Sequence, residues 1–221
     1  MKRDEDELVT LGSEIGAPLA DLRFAWGPVR LDFWHVADQE SLWTEAIDLD
    51  LPPYWATVWP AALGLARWLI EQPAPPPETL ELGCGIGLTG IVAAHLGAPV
   101  TQTDASPLSL RLSLANAERN ALPAAGLRYW LTDWRRWPLR SRFPRVVGAD
   151  ILYEKSLHPA LAEVLEASLA PGGEALLADP GRPPALDFVA DLEARGWRVS
   201  LEELPRTAGE PNLWLYRCTR E

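Results

Sequence analysis

The chain has 221 residues, enough for one domain with a sizeable core and a small extension. Its hydrophobic share of 48% and charged share of 23% are those of a soluble globular protein, and no apolar run approaches the roughly 20 residues a membrane span needs. A net charge of −11 disfavours nucleic acid as a partner, and two cysteines, Cys84 and Cys218, are too few for a disulfide framework or a zinc site.

The start, MKRDEDELVT, is acidic and lacks the apolar stretch of a signal peptide, which points to the cytoplasm. Residues 1–50 are uneven, but Leu22–Trp26 and Val29–Val36 flank Gly27-Pro28 and read as a β-hairpin. Leu51-Pro52-Pro53-Tyr54 is a rigid lead-in. From Thr57 to Glu71, Val58, Ala61, Ala62, Leu65, Trp68 and Leu69 recur at helical spacing, with Pro60 in the first turn. The run Pro73–Pro77 ends that helix.

The pattern then becomes regular. Strand Thr79–Leu82 runs into a glycine turn and a helix over Leu88–Leu96. Strand Val100–Thr103 ends at Asp104, and a helix over Pro107–Asn120 follows with Ser106 as its N-cap. Leu127–Leu131 and Arg145–Ala149 read as strands. Leu157–Leu169 reads as a helix stopped by Pro171-Gly172-Gly173. Strand Ala175–Ala178, helix Ala185–Arg195 and strands Val199–Leu204 and Leu213–Cys218 complete the chain.

Alternating strands and helices predict an α/β, doubly wound, mostly parallel seven-stranded sheet of Rossmann-like type. The loop Pro205–Pro211 is too short for a parallel crossover, so one strand near the edge should be antiparallel. The organisation expected is an N-terminal extension with the β-hairpin over 1–50 and a main domain carrying the sheet over 51–221.

The run Glu81-Leu-Gly83-Cys84-Gly85-Ile-Gly87-Leu-Thr-Gly90 sits between strand and helix, where ligands bind in such sheets. Glycines let the backbone approach a ligand, and the helix start offers free N–H groups. Gly85-x-Gly87-x-x-Gly90 also fits a dinucleotide fingerprint. Glu81 separates the readings. It suits the cationic amino acid half of S-adenosylmethionine and would repel a pyrophosphate. Asp104, about 20 residues further on, is placed for ribose hydroxyls. Cys84 packs within the loop as a small hydrophobe. The three histidines show no metal spacing, so no metal is expected.

These residues resemble the seven-strand (class I) S-adenosylmethionine-dependent methyltransferases. Four segments resemble the branch that methylates lysines of non-histone proteins: Tyr54-Trp-Ala-Thr-Val-Trp-Pro60, the glycine loop, Gly148-Ala-Asp-Ile-Leu-Tyr-Glu154 and Ala178-Asp-Pro-Gly-Arg182. The first and last are most similar to the electron-transfer flavoprotein β-subunit lysine methyltransferases. The resemblance implies cofactor contacts from Trp59, Glu81, Gly83, Cys84, Gly85, Gly87, Asp104, Asp133 and Trp134. It implies an acidic–aromatic lysine channel from Asp150 and Tyr153, with Glu154, Asp179 and Arg182 on the substrate side. Trp59 serves helix packing equally well. Trp130, Trp134 and Trp137, with Arg135 and Arg136, equally form an aromatic–cationic cover on the sheet.

The implied activity is methyl transfer from S-adenosylmethionine to a lysine of a protein substrate, with electron-transfer flavoprotein β-subunit as the leading target and S-adenosylhomocysteine as product. The enzyme is expected to be a monomer, without a nucleic acid or membrane partner. A nicotinamide-like small-molecule acceptor is the alternative within this chemistry. A non-catalytic S-adenosylmethionine-binding module and a nicotinamide-dependent oxidoreductase are alternatives of other classes.

Overall fold

The computed structural model describes residues 2–43 and 52–220. Leu51 and the boundary drawn at residues 50 and 51 lie outside the described residues. The chain opens with helix α1 (Lys2–Ile15) and hairpin β1 (Leu19–Trp26) and β2 (Val29–Val36). A single-turn helix, Pro53–Ala56, leads to α2 (Pro60–Glu71). Then follow β3 (Thr79–Leu82), α3 (Leu88–His95), β4 (Val100–Asp104), α4 (Pro107–Arg119), β5 (Leu127–Leu131) and β6 (Phe143–Ala149). The chain continues through α5 (His158–Ser168), β7 (Leu169–Asp179), α6 (Pro183–Ala194), β8 (Arg198–Glu203) and β9 (Trp214–Thr219).

The seven-stranded sheet has the order β5-β4-β3-β6-β7-β9-β8. Every pairing from β5 to β7 is parallel, and β9 runs antiparallel to both β7 and β8. The reversed strand is therefore second from the edge, as the short β8–β9 loop requires. Side chains alternate between two cores. Val147, Leu176, Ala178 and Leu215 face α2, α3, α4 and the N-terminal extension. Val146, Ala175, Leu177 and Cys218 face α5 and α6.

Three local outcomes differ from the sequence reading. Helix α1 is present where residues 1–50 read as uneven. Its buried side is carried by Leu11 and Ile15, spaced at one helical turn. Helix α2 starts at Pro60 rather than Thr57, because Trp59 precedes a proline and stays extended (φ −92°, ψ 145°). Helix α5 ends at Ser168 and passes directly into β7, so Pro171-Gly172-Gly173 does not end the helix. It forms a bulge instead: Phe143 pairs with Leu169 but Arg145 pairs with Glu174. A Cβ on Gly173 would lie 2.7 Å from the Pro144 carbonyl oxygen.

The hairpin is held by two asparagines one turn apart, Asn116 on α4 and Asn120 at its C-cap. Asn116 accepts from Trp34 N–H at 2.7 Å and donates to the Trp34 carbonyl at 3.0 Å. Asn120 does the same with Asp32, at 2.9 and 2.8 Å. Their amides thus complete the hydrogen bonds of an edge that would otherwise attract another strand. Phe33 and Trp34 are fully buried beneath them, each worth about 1.5–3 kcal/mol of apolar burial.

Candidate active site

β3, β4 and β6 all end at one rim of the sheet, and their final residues open into a solvent-exposed cleft. One wall is Glu81, the glycine loop and Asp104. The opposite wall is Asp150, Ile151 and Tyr153. Tyr54, Trp55, Val58 and Trp59 roof it, and Thr132, Asp133, Trp134 and Arg135 close its side.

The glycine loop follows from steric necessity. Gly83, Gly85 and Gly87 all have positive φ, which costs a glycine little. A Cβ on Gly87 would meet Ser113 Oγ at 2.0 Å, and one on Gly83 would meet Ile151 at 3.0 Å. Gly90 serves a different purpose. A Cβ there would stand 2.3 Å from Glu81 Oε2, so glycine in the first turn of α3 makes room for that carboxylate.

Glu81 is 3% exposed. Its Oε2 accepts from Gly90 N–H at 3.1 Å and from Gln102 Nε2 at 2.6 Å. Burial raises its pKa from 4.5 to about 7, opposed by those two hydrogen bonds. Asp104 accepts from Gly85 N–H at 3.0 Å and from Ser106 N–H at 2.9 Å. Burial raises its pKa as well. Ser106 Oγ caps α4 by accepting from Ser109 N–H, which leaves Asp104 oriented to the loop.

The end of the cleft at Asp150 is built differently. Ala149 pairs with Ala178 in parallel register, so Asp150 and Asp179 are the next residues on neighbouring strands. Two adjacent carboxylates in a buried site need a cation, and Arg182 supplies it. Its Nη2 donates to Asp150 Oδ1 at 2.7 Å and to Asp179 Oδ2 at 2.5 Å, while its Nε holds Asp179 Oδ2 at 2.9 Å. Asp150 Oδ2 accepts from Ala61 N–H at 3.0 Å. That donor lies in the first turn of α2, whose own N-cap residue, Trp59, makes no side-chain cap bond. Asp150 thus caps a helix 89 residues away in sequence. Its backbone is left-handed (φ +58°), an uncommon conformation for a residue other than glycine that costs of order 1 kcal/mol or more. Burial raises its pKa from 3.8 to about 6, and Arg182 moderates the rise.

Tyr153, at the mouth, meets Tyr54 edge to face at 5.5 Å. Tyr54 also contacts Trp59 and Trp43, each at 6.1 Å. Trp59 Nε1 donates to the Tyr54 carbonyl at 2.8 Å. Arg182 lies 5.8 Å from the Tyr153 ring centre. The result is a cluster of rings around a carboxylate, an arrangement suited to an amine.

Of the sequence-predicted residues, Trp59, Glu81, Gly83, Cys84, Gly85, Asp104, Asp133, Trp134, Asp150 and Tyr153 line the cleft. Gly87 shapes the loop behind it. Asp179 and Arg182 do not line it and support Asp150 from beneath. Glu154 is exposed and accepts from Ser156 N–H at 3.0 Å, capping the short helix Lys155–Leu157. Asp133 lines the cleft but has its carboxylate held by Arg135, at 2.8 Å in the ion pair. Sequence reasoning assigned no role to Tyr54 or Thr89. Tyr54 stood inside a quoted segment. Thr89 is a polar residue two places past Gly87, the kind that meets a ligand at a helix start. Its Oγ1 is buried in the cleft wall with no hydrogen-bond partner among the described residues.

A family model described as lysine methyltransferase matches residues 54–185. The chain belongs to the lysine methyltransferase family. The zebrafish (Danio rerio) electron transfer flavoprotein beta subunit lysine methyltransferase is 28% identical over 75% of this chain and 67% of its own length. The rat (Rattus norvegicus) relative of that name is 30% identical over 70% of this chain and 58% of its own. EEF1A lysine methyltransferase 3 of Xenopus tropicalis is 30% identical over 75% of each. The chain thus spans between 58% and 75% of these relatives.

The fold is that of S-adenosylmethionine-dependent methyltransferases. The glycopeptide N-methyltransferase MtfA matches with a TM-score of 0.59 at 17% identity, over 73% of this chain and 96% of the solved one. Magnesium protoporphyrin IX methyltransferase from Synechocystis PCC 6803 with bound S-adenosylmethionine scores 0.58 at 15% identity, over 72% and 78%. This lysine methyltransferase family member carries a cleft that fits that cofactor on three counts. A buried carboxylate, Glu81, faces it and, among the described residues, has no basic side chain as a hydrogen-bond partner. A glycine cradle forbids side chains where the ligand passes. The orphan hydroxyl of Thr89 needs a polar partner.

Proposed function

We propose that this chain transfers a methyl group from S-adenosylmethionine to a lysine side chain of a protein. The observation carrying this reading is the single cleft that joins Glu81 and Asp104 at one end to Asp150, Tyr153 and Tyr54 at the other. Glu81 and Thr89 hold the amino acid part of the cofactor, Asp104 the ribose, and Asp133 with Trp134 the adenine. The bound cofactor supplies an electrophilic methyl group carried on a sulfonium.

The chain's residues prepare the acceptor. A lysine ammonium enters between the rings of Tyr153, Tyr54 and Trp59, whose faces attract its charge. Free lysine has a pKa near 10.4, so the nitrogen must lose a proton before it attacks. Burial at the cleft bottom lowers that value. Asp150 accepts a hydrogen bond from the nitrogen and fixes its lone pair, and Arg182 keeps the carboxylate ionised at neutral pH. Positioning supplies much of the rate.

A protein acceptor is favoured over a small molecule by the open rim. Among the described residues, neither β1 nor β2 lines the cleft; the hairpin packs on α4 instead of closing a pocket. The relatives' names make electron-transfer flavoprotein β-subunit the first target to test. We place the enzyme in the cytoplasm, acting as a monomer without nucleic acid.

The test uses radiolabelled methyl donor, the purified protein and extract of cells lacking it. Label in a protein band, released as methyl-lysine, is the expected result. Label confined to small molecules sinks the protein-acceptor reading.

A further inference from the structure

Residues 127–145, from β5 to the start of β6, hold six arginines and one acid, Asp133, a local charge of +5 in a chain of −11. The fold exposes this charge. Arg128, Arg136, Arg140 and Arg142 are all exposed. Arg136 and Arg140 form no ion pair among the described residues, and Arg128 makes only a solvent-exposed contact with Glu78 at 3.2 Å. Trp130 and Leu131, at the end of β5, are also exposed (45% and 58%).

Three of these residues share one place. Arg128, Trp130 and Arg142 line a groove along the end of the sheet. β5 is the edge strand, paired only with β4 among the described residues, so its outer row of backbone groups can receive an extended chain. The same segment reaches the cleft, where Trp134 and Arg135 form part of the wall. The stripe therefore runs from the groove to the cleft wall formed by Trp134 and Arg135.

We propose that this stripe docks an acidic, extended segment of the protein acceptor, laid along β5 with carboxylates on Arg128, Arg136 and Arg140 and an apolar contact on Trp130, while Arg142 lines the groove with its Nη1 held by the Glu166 and Leu169 carbonyls. The assignment rests on the protein-acceptor reading given above. An acidic segment fits better than a nucleic acid. The patch spans about 17 Å at a strand's rise per residue, and a phosphate backbone running past it meets a surface that is negative overall. A short acidic stretch uses the patch without crossing its borders. Docking here raises the effective concentration of a nearby lysine at the cleft mouth.

The experiment uses a fluorescein-labelled ten-residue peptide of alternating glutamate and valine, read by anisotropy at low salt. S-adenosylhomocysteine is titrated in parallel by calorimetry. Binding of the acidic peptide is expected, weakened at least tenfold in Arg136→Glu/Arg140→Glu and less in Arg136→Gln/Arg140→Gln. S-adenosylhomocysteine binding should be unchanged in both variants. The glutamine variants keep the test open if charge reversal perturbs folding. The proposal is overturned if the acidic peptide fails to bind while S-adenosylhomocysteine binds. It is also overturned if a lysine–valine peptide binds as well, or if ten-nucleotide single-stranded DNA binds more tightly. Failure to bind S-adenosylhomocysteine would instead remove the methyltransferase reading, whatever the peptide does.

Discussion

The two ends of the cleft both carry buried carboxylates, yet hold them in opposite ways. Glu81 and Asp104 accept from backbone N–H groups, and Glu81 also from a neutral amide, with no guanidinium or ammonium among those partners. Asp150 and Asp179 share one guanidinium. At the first end the charge is left uncompensated, so the protein bears a desolvation cost that a cationic ligand can relieve. At the second end compensation is internal, and what remains is geometry: a fixed carboxylate oxygen beside two aromatic rings. In the function proposed here, the first end is the donor end and selects by charge, and the second is the acceptor end and selects by shape and orientation.

The largest expected effect separates these roles at Asp150. Asp150→Asn keeps a side chain that tolerates a left-handed backbone and can still accept from Ala61 N–H. Methyl transfer should fall by about 10²–10³-fold through lost orientation, with S-adenosylhomocysteine affinity within about threefold. Isothermal titration beside a turnover assay checks this, and loss of cofactor binding would show that the two ends are not independent. Asp150→Ala is a less clean probe, since it also removes the α2 cap and leaves alanine at positive φ.

Next, Glu81→Gln should weaken S-adenosylmethionine binding by about 100-fold, equivalent to about 2.8 kcal/mol. The same change should stabilise the ligand-free protein. Because the folded-state pKa of Glu81 is raised to about 7, the native protein binds more protons than the unfolded chain between pH 4.5 and 7. Stability contributed by this group is therefore present below 4.5 and lost as pH rises through 7. Above pH 7 the glutamine variant escapes a cost on the order of 3 kcal/mol. Thermal melts at pH 5 and pH 8 should show the gain only at pH 8.

A related, smaller effect is expected in the wild-type protein. Cofactor affinity should rise as pH increases from 6 to 8, by about tenfold at most, with release of a proton as Glu81 ionises against the bound cation. Calorimetry in buffers of different ionisation enthalpy measures that proton. No proton release would mean that Glu81 is already charged without ligand. The smallest effect is structural: Ser106→Ala should cost about 1 kcal/mol by removing the cap of α4, with little change at the acceptor end. Denaturant unfolding reads it.

Legibility in the sequence followed the same division. The donor end is local. Glu81, the glycines and Asp104 lie within two strand–helix units, so turn chemistry and strand ends were enough to assemble them. The seven strands were readable because apolar runs were bounded by glycines, prolines and caps such as Ser106. The acceptor end is not local. That Asp150 and Asp179 are neighbours depends on β6 lying beside β7, and that Asp150 caps α2 depends on where an N-terminal helix docks. Neither distance is encoded in spacing. Helix α1 escaped notice because its buried positions, Leu11 and Ile15, stand in a mostly polar segment. Asp179 and Arg182 were found by resemblance and placed at the substrate, whereas the packed structure puts them one layer below it.

Gly90 offers a practical instrument. A single methyl group there meets the carboxylate of Glu81 and the amide of Gln102, both buried, so Gly90→Ala should silence the donor end while every outward-facing residue stays as it was. Such a protein would still recognise whatever the active enzyme recognises and leave it unmodified. Immobilised, it is a bait that holds unmethylated acceptors without releasing them as product.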